Sequence, residues 1–126
     1  MVSDNISEAV SKIKNLPGID LVYFLSRDLQ IVQEHKNTNS NNYLEQILVV
    51  LKSQSFLNEL GTAFPQKSFH TYTLLNETGL IVILKLGGTE NLYMVVIAGE
   101  NQPVDLINLL KICKETRLNF RETLEV

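Results

Sequence analysis

Two histidines, one cysteine and a scatter of carboxylates are the residues of this chain that could do chemistry. Neither His35 nor His70 has another His or a Cys at metal-ligand spacing, so no zinc-type ligand set forms around them. A catalytic imidazole would need an orienting partner, and no local motif supplies one. Cys113 lies among Leu109, Leu110 and Ile112, where a thiol is expected to be a buried packing group. A nucleophilic thiolate needs an electropositive, accessible site instead. Glu77, Glu90 and Glu100 fall in turns, where acids are solvated. Gly87-Gly88 lacks the Gly-Lys-Ser/Thr ending of a phosphate loop and joins two strands, whereas a phosphate loop opens a helix. Lys111, Lys114, Arg117 and Arg121 recur along a helix, but Glu115 and Glu122 interrupt them. Cations are favoured near a helix C-terminus in any case. No catalytic constellation, metal site or cofactor site emerges, and the chain is read as a non-enzyme.

Composition narrows the classes further. A chain of 126 residues, 44% hydrophobic and 20% charged, can bury one core of ordinary size. The reading is a single domain over residues 1–126. The net charge of −3 gives no basic stripe for nucleic acid. A lone cysteine excludes an internal disulfide framework. Met1–Asn5 has neither the charged start nor the apolar stretch of a signal peptide. No run approaches the roughly 20 apolar residues of a membrane span. A cytoplasmic protein that does not insert into a membrane is expected.

The elements that would position a site follow from periodicity. Ile6, Val10, Ile13 and Leu16 form an apolar helical stripe, with Asn5 as the expected cap, Glu8 in the capping-box place, and Pro17-Gly18 as the stop. Ile19–Leu25 is apolar on both faces, which places a strand in the middle of a sheet. After the turn Ser26-Arg27-Asp28, Leu29–His35 carries polar residues on both faces and reads as an edge. The polar loop Lys36–Asn42 leads to a helix over Tyr43–Leu60, stopped by Gly61. Ser68–Leu75 reads as a strand rich in Phe, Thr and Tyr. Leu80–Leu86 and Leu92–Ala98 form an apolar hairpin. A last helix is expected to start at Pro103, where the missing N–H is harmless, and to run to Phe120. The order is helix, strand, strand, helix, three strands, helix. Ile19–Leu25 and Leu92–Ala98 are the expected central neighbours, and Leu29–His35 and Ser68–Leu75 the expected edges.

Function is then sought on surfaces. The helix over Tyr43–Leu60 carries two stripes. Tyr43, Leu44, Ile47, Leu48 and Leu51 suit the sheet. Val49, Ser53, Phe56 and Leu60 follow at i, i+4, i+7 and i+11, the spacing of a helix–helix seam. Ser68–Leu75 contains no Pro and no central Lys, the usual guards of an edge. Phe69, Thr71, Tyr72 and Thr73 are therefore expected, with the second stripe, to form a dimer interface. Glu45, Lys52 and Glu59 lie on the rim of the helix as expected partner contacts.

From about Asn5 to Arg117 the chain resembles the roadblock/dynein light chain family. The matching segments are Leu16-Pro17-Gly18-Ile19, the apolar helix ending Leu57-Asn58-Glu59-Leu60-Gly61, and the hairpin from Leu80-Ile81-Val82-Ile83-Leu84 to Tyr93-Met94-Val95-Val96-Ile97-Ala98. The closing helix near Pro103 also fits. Arg27-Asp28 departs from it, since many members have Gly in that turn. The resemblance implies an α+β, α/β/α sandwich-like domain of order αββαβββα, with a five-stranded antiparallel sheet. It implies a homodimer, or a heterodimer with a second roadblock protein. It also implies a non-enzymatic regulator or scaffold for a Ras-like small GTPase, or an adaptor in a motor or signalling complex. The rival readings are a PAS- or GAF-type sensor of small molecules, which needs a roomy polar pocket, and a longin- or profilin-like trafficking module.

Overall fold

The computed structural model describes residues 2–37, 44–52, 62–64, 71–86 and 92–124. Its elements are α1 (Val2–Lys14), β1 (Ile19–Leu25), β2 (Ile31–Lys36), α2 (Leu44–Lys52), β3 (Thr71–Asn76), β4 (Gly79–Lys85), β5 (Tyr93–Ala98) and α3 (Leu106–Leu124). The chain divides into two compact units. One holds α1, the five strands and α3, and the other holds α2.

The strands form one antiparallel sheet in the order β2-β1-β5-β4-β3. The expected centre and edges are therefore the observed ones. Every residue of β1 is buried, because the strand is apolar on both faces and has neighbours on both sides. Val22 faces Val96, and Phe24 faces Met94. Val82 and Leu84 continue the same two rows on β4. This face builds the core with Ile6, Ala9, Val10 and Ile13 of α1 and with Leu109, Cys113 and Phe120 of α3. The residues of α1 recur at helical spacing, so one stripe of the helix enters the core. On the opposite face Leu21, Tyr23, Leu25, Ile83, Val95 and Ile97 are also buried.

Helix starts differ most from the sequence expectation. Asn5 does not cap α1. The helix already runs from Val2, and the Asn5 side-chain amide donates to the Asn119 carbonyl at 3.5 Å. Asp4 in the first turn and Lys12 and Lys14 in the last complement the helix dipole without that cap. Pro103 does not open α3. Asp105 is the cap, and its carboxylate accepts from the Asn108 N–H at 3.1 Å and from the Asn108 side-chain amide at 2.7 Å. A carboxylate that satisfies an orphan helix donor outweighs a proline that merely tolerates the position.

The first hairpin turn also moves. β2 begins at Ile31 because Leu29 adopts φ +65°, which no strand residue can. The Leu29 N–H donates to the Ser26 carbonyl at 2.9 Å, and the Gln30 N–H donates to the Ser26 hydroxyl at 3.0 Å. A left-handed leucine thus does what glycine would do more cheaply. Of the expected second helix, Leu44–Lys52 is described, and residues 53–60 lie outside the described residues. The same holds for residues 68–70 of the expected third strand.

Candidate functional site

The residues with chemical potential are dispersed. His35 is half-buried on β2, and His70 lies outside the described residues. Glu77 is exposed in the β3–β4 turn, Glu100 is half-buried, and Glu90 with Gly87-Gly88 lies outside the described residues. Among the described residues no group of three His, Cys, Asp or Glu side chains could hold a metal ion. No described helix is long and apolar enough to cross a membrane.

Cys113 is buried in the α1–α3 core, and burial pushes its thiol up to about 12. The thiolate is therefore disfavoured in the folded state at any ordinary pH. A disulfide reagent at pH 8 is expected to leave Cys113 unmodified in the folded protein and to label it fully in denaturant. Stoichiometric labelling of folded protein within the mixing time would contradict this burial. The sign for stability follows. The folded pKa is raised, so this contribution is intact below pH 9 and is lost as pH rises toward 12.

The two sheet edges differ in a way that matters for assembly. β2 is guarded. It carries Glu34 and Lys36, and its register with β1 shifts between Phe24 and Leu25. A bulge and charges both discourage addition of another strand. β3 has neither device over Thr71–Asn76, and its register with β4 is unbroken. Its turn is tight. Asn76 pairs with Gly79, and the Asn76 side-chain oxygen accepts from the Thr78 N–H at 2.8 Å and the Thr78 hydroxyl at 2.9 Å. A two-residue loop makes Asn76 and Gly79 the hydrogen-bonded pair beside the turn. Alternation then directs the backbone groups of Tyr72 and Leu74 to β4, and those of Thr73 and Leu75 to the outer edge. Leu75 is 65% exposed there.

Of the expected interface residues, Thr71, Tyr72 and Thr73 lie on this edge strand and are half-buried. On α2, Ile47 and Leu51 of the first stripe are buried and Leu44 and Leu48 half-buried, and Tyr43 lies outside the described residues. Val49, from the second stripe, is 66% exposed, and Glu45 is exposed. Lys52 ends α2, with no description of its side chain. Ser53, Phe56, Glu59, Leu60 and Phe69 lie outside the described residues.

Three features escaped the sequence reading. Asp20 is a carboxylate buried inside β1, signalled only by a lone acid between Ile19 and Leu21. Leu110, a sequence neighbour of the buried Cys113, is itself exposed on α3. Arg117 does not join Lys111 and Lys114 as a wholly solvated cation, because its Nε donates to the Lys85 carbonyl at 3.3 Å.

The αββαβββα order and the single five-stranded antiparallel sheet match a roadblock/longin-like fold. The chain is similar to a Roadblock/LC7 domain from Streptomyces avermitilis, with a TM-score of 0.66 and 16% identity, over 95% of this chain and 94% of that one. It is similar to the gliding protein MglB from Thermus thermophilus, with a TM-score of 0.69 and 12% identity, over 98% of this chain and 87% of that one. MglB in a tetrameric arrangement gives the same TM-score of 0.69, at 12% identity and over 98% and 87% of the two chains. Identities this low carry the fold and not a shared activity. No protein-family profile and no curated protein matches the sequence.

Proposed function

We propose that this protein is a non-enzymatic, self-associating regulator or scaffold, and that a Ras-like small GTPase is its partner. The observation that carries the reading is the open β3 edge opposite a guarded β2 edge. An unguarded edge in a single sheet leaves backbone donors and acceptors for a second strand. Two copies of β3 can pair antiparallel about a two-fold axis and extend the sheet across the dimer. The exposed Val49 of α2 is assigned to the same homodimer, together with Ser53, Phe56, Leu60 and Phe69. Heterodimers with a second roadblock protein would use the same groups. Self-association is supported by analogy with MglB, which occurs in a tetrameric arrangement. The GTPase comes from the resemblance to the roadblock family, and we assign Glu45, Lys52 and Glu59 to its contact. Rim charges of this kind set association rate and salt dependence more than affinity. We place the protein in the cytoplasm.

The test uses Thr73→Pro. Proline deletes a donor that points away from β4, so the hairpin keeps its own bonds. In a two-fold interface each copy loses one bond, worth together about 2–3 kcal/mol, or on the order of 100-fold in Kd. Light scattering at micromolar concentration is expected to give a dimer for the unmodified chain and a monomer for Thr73→Pro, with the same circular dichroism. The unmodified dimer is then mixed with Ras-like GTPases of the same organism in their GDP and GTP-analogue states. Added mass in either state supports the partner assignment. A monomeric unmodified chain overturns the self-association. No added mass with any GTPase in either state overturns the partner.

A further inference from the structure

The outward line of α3 is a second surface that the fold leaves uncovered. Leu109, Cys113, Thr116 and Phe120 point into the protein. On the far side of the helix lie Ile107, Lys111, Lys114 and Leu118. Ile107 is 71% exposed and Leu118 43% exposed, and both lysines are exposed. These four follow at i, i+4, i+7 and i+11, the alternation of a helix–helix seam. The line therefore reads apolar, basic, basic, apolar over about 16 Å of helix.

Among the described residues the neighbouring charges are engaged elsewhere. Glu115, one turn from Lys111, is held by Lys12 of α1 at 3.5 Å. Lys12 is also bound by Glu8 at 3.1 Å. Arg117 is turned toward Lys85. Among the described residues neither Lys111 nor Lys114 has an ion pair or hydrogen bond of its side chain. A positive strip thus stands on a chain whose net charge is −3.

Charge selects the occupant. A second copy of α3 packed antiparallel on this line would set Lys111 against Lys114 of that copy. Packed parallel, each lysine would meet its own equivalent. Like charges in both registers exclude self-pairing here. An anionic membrane fits poorly, because two lysines supply only about 1 kcal/mol each near a charged surface. Two isolated aliphatic side chains add little insertion to that. We infer that the outward face of α3 docks an acidic amphipathic helix of another protein, whose carboxylates meet Lys111 and Lys114 and whose apolar side chains meet Ile107 and Leu118. This surface is separate from β3, and the inference stands whether or not β3 self-associates.

The probe is a fluorescein-labelled, hydrocarbon-stapled peptide of about 18 residues. It presents Leu, Glu, Glu and Leu at the four seam positions in an Ala/Gln background. Anisotropy with the full chain is expected to show saturable binding that weakens with added salt. Lys111→Glu with Lys114→Glu is expected to weaken it at least about tenfold and to accept instead a peptide with Lys at both central positions. Ile107→Ser, with both lysines kept, is expected to weaken it about fivefold, which charge alone would not do. Circular dichroism and thermal midpoint check that these exposed substitutions leave the fold intact. Lys111→Gln with Lys114→Gln repeats the test without reversing charge. No saturable binding of the acidic peptide overturns the inference. So does equal binding by the double variants, or an unchanged Kd for Ile107→Ser. Co-sedimentation with phosphatidylserine vesicles in place of peptide binding would also overturn it and assign the strip to a lipid surface.

Discussion

Phe24→Ala is expected to lower the unfolding free energy by about 4 kcal/mol, within the range for truncating a fully buried phenylalanine. Phe24 is fully buried in β1, opposite Met94 of β5 and Gln33 of β2. It lies in the core face shared by α1 and α3. Neither neighbouring strand can close the gap without breaking its ladder, so the cavity term adds to the lost transfer energy. A domain of this size has roughly 5–15 kcal/mol to lose, so the variant should be near its unfolding threshold at 37 °C. Urea denaturation followed by circular dichroism measures it. Val32→Ala, on the exposed edge strand, is the control and should stay within about 0.5 kcal/mol. A loss below about 2 kcal/mol at Phe24 would show that the core collapses around the site instead of holding a cavity.

What was legible in the sequence follows from how far apart the causes lie. β1 and β5 were readable as central because each strand carries apolar residues on both faces. β2 was readable as an edge because Gln33 and Glu34 accompany its apolar residues, whereas Lys36, expected in the following loop, ends the strand. These are local facts, and the sheet order obeys them. The starts of α1 and α3 were misread because several residues near each start can cap, and tertiary contacts choose among them. Asn5 was diverted to Asn119, far along the chain, while Asp105 bound its own helix. The open edge of β3 was legible from the lack of Pro and Lys, but the outward phase of Thr73 and Leu75 needed the turn at Asn76–Gly79. The α3 face was half legible. The lysine spacing was visible, whereas the exposure of Ile107 and Leu118 depends on which stripe of α3 the core takes. Asp20 was signalled only by its being a lone acid between Ile19 and Leu21, because its partners Glu100 and Asn101 arrive from far along the chain.

Asp20→Ala is expected to cost about 3 kcal/mol, the upper range for removing a buried, charged acceptor from its donors. Asp20 is 1% exposed. The register between β1 and β5 shifts between Ile19 and Leu21, so Asp20 is the extra residue of a bulge. A bulge re-aims the side chain out of the regular alternation. Here it turns the carboxylate to the corner after β5, where one oxygen accepts from the Glu100 N–H at 2.9 Å and the other from the Asn101 amide at 2.7 Å. The same corner is closed by the Gly99 N–H donating to the Gly18 carbonyl at 2.8 Å. Gly18 sits at φ +90°, and a Cβ there would lie 2.5 Å from the Pro103 carbonyl oxygen. Residues 99–105 are thus pinned to the start of β1 before α3 begins. The expected readout is the urea midpoint of Asp20→Ala, Asn101→Ala and the double variant. Asn101→Ala should cost clearly less in the Asp20→Ala background than alone, because the two groups share one bond. Asp20→Asn should remain destabilised, since the amide keeps one acceptor oxygen and sets an NH2 donor against the other of the two converging donors. Strict additivity of Asp20→Ala and Asn101→Ala would mean that the bond does not anchor the corner. The consequence for function is specific: a loosened corner leaves the core stripe of α3 less firmly in register and blurs the outward line of Ile107, Lys111, Lys114 and Leu118. Asp20→Ala should therefore weaken docking on α3 although it touches none of those four residues.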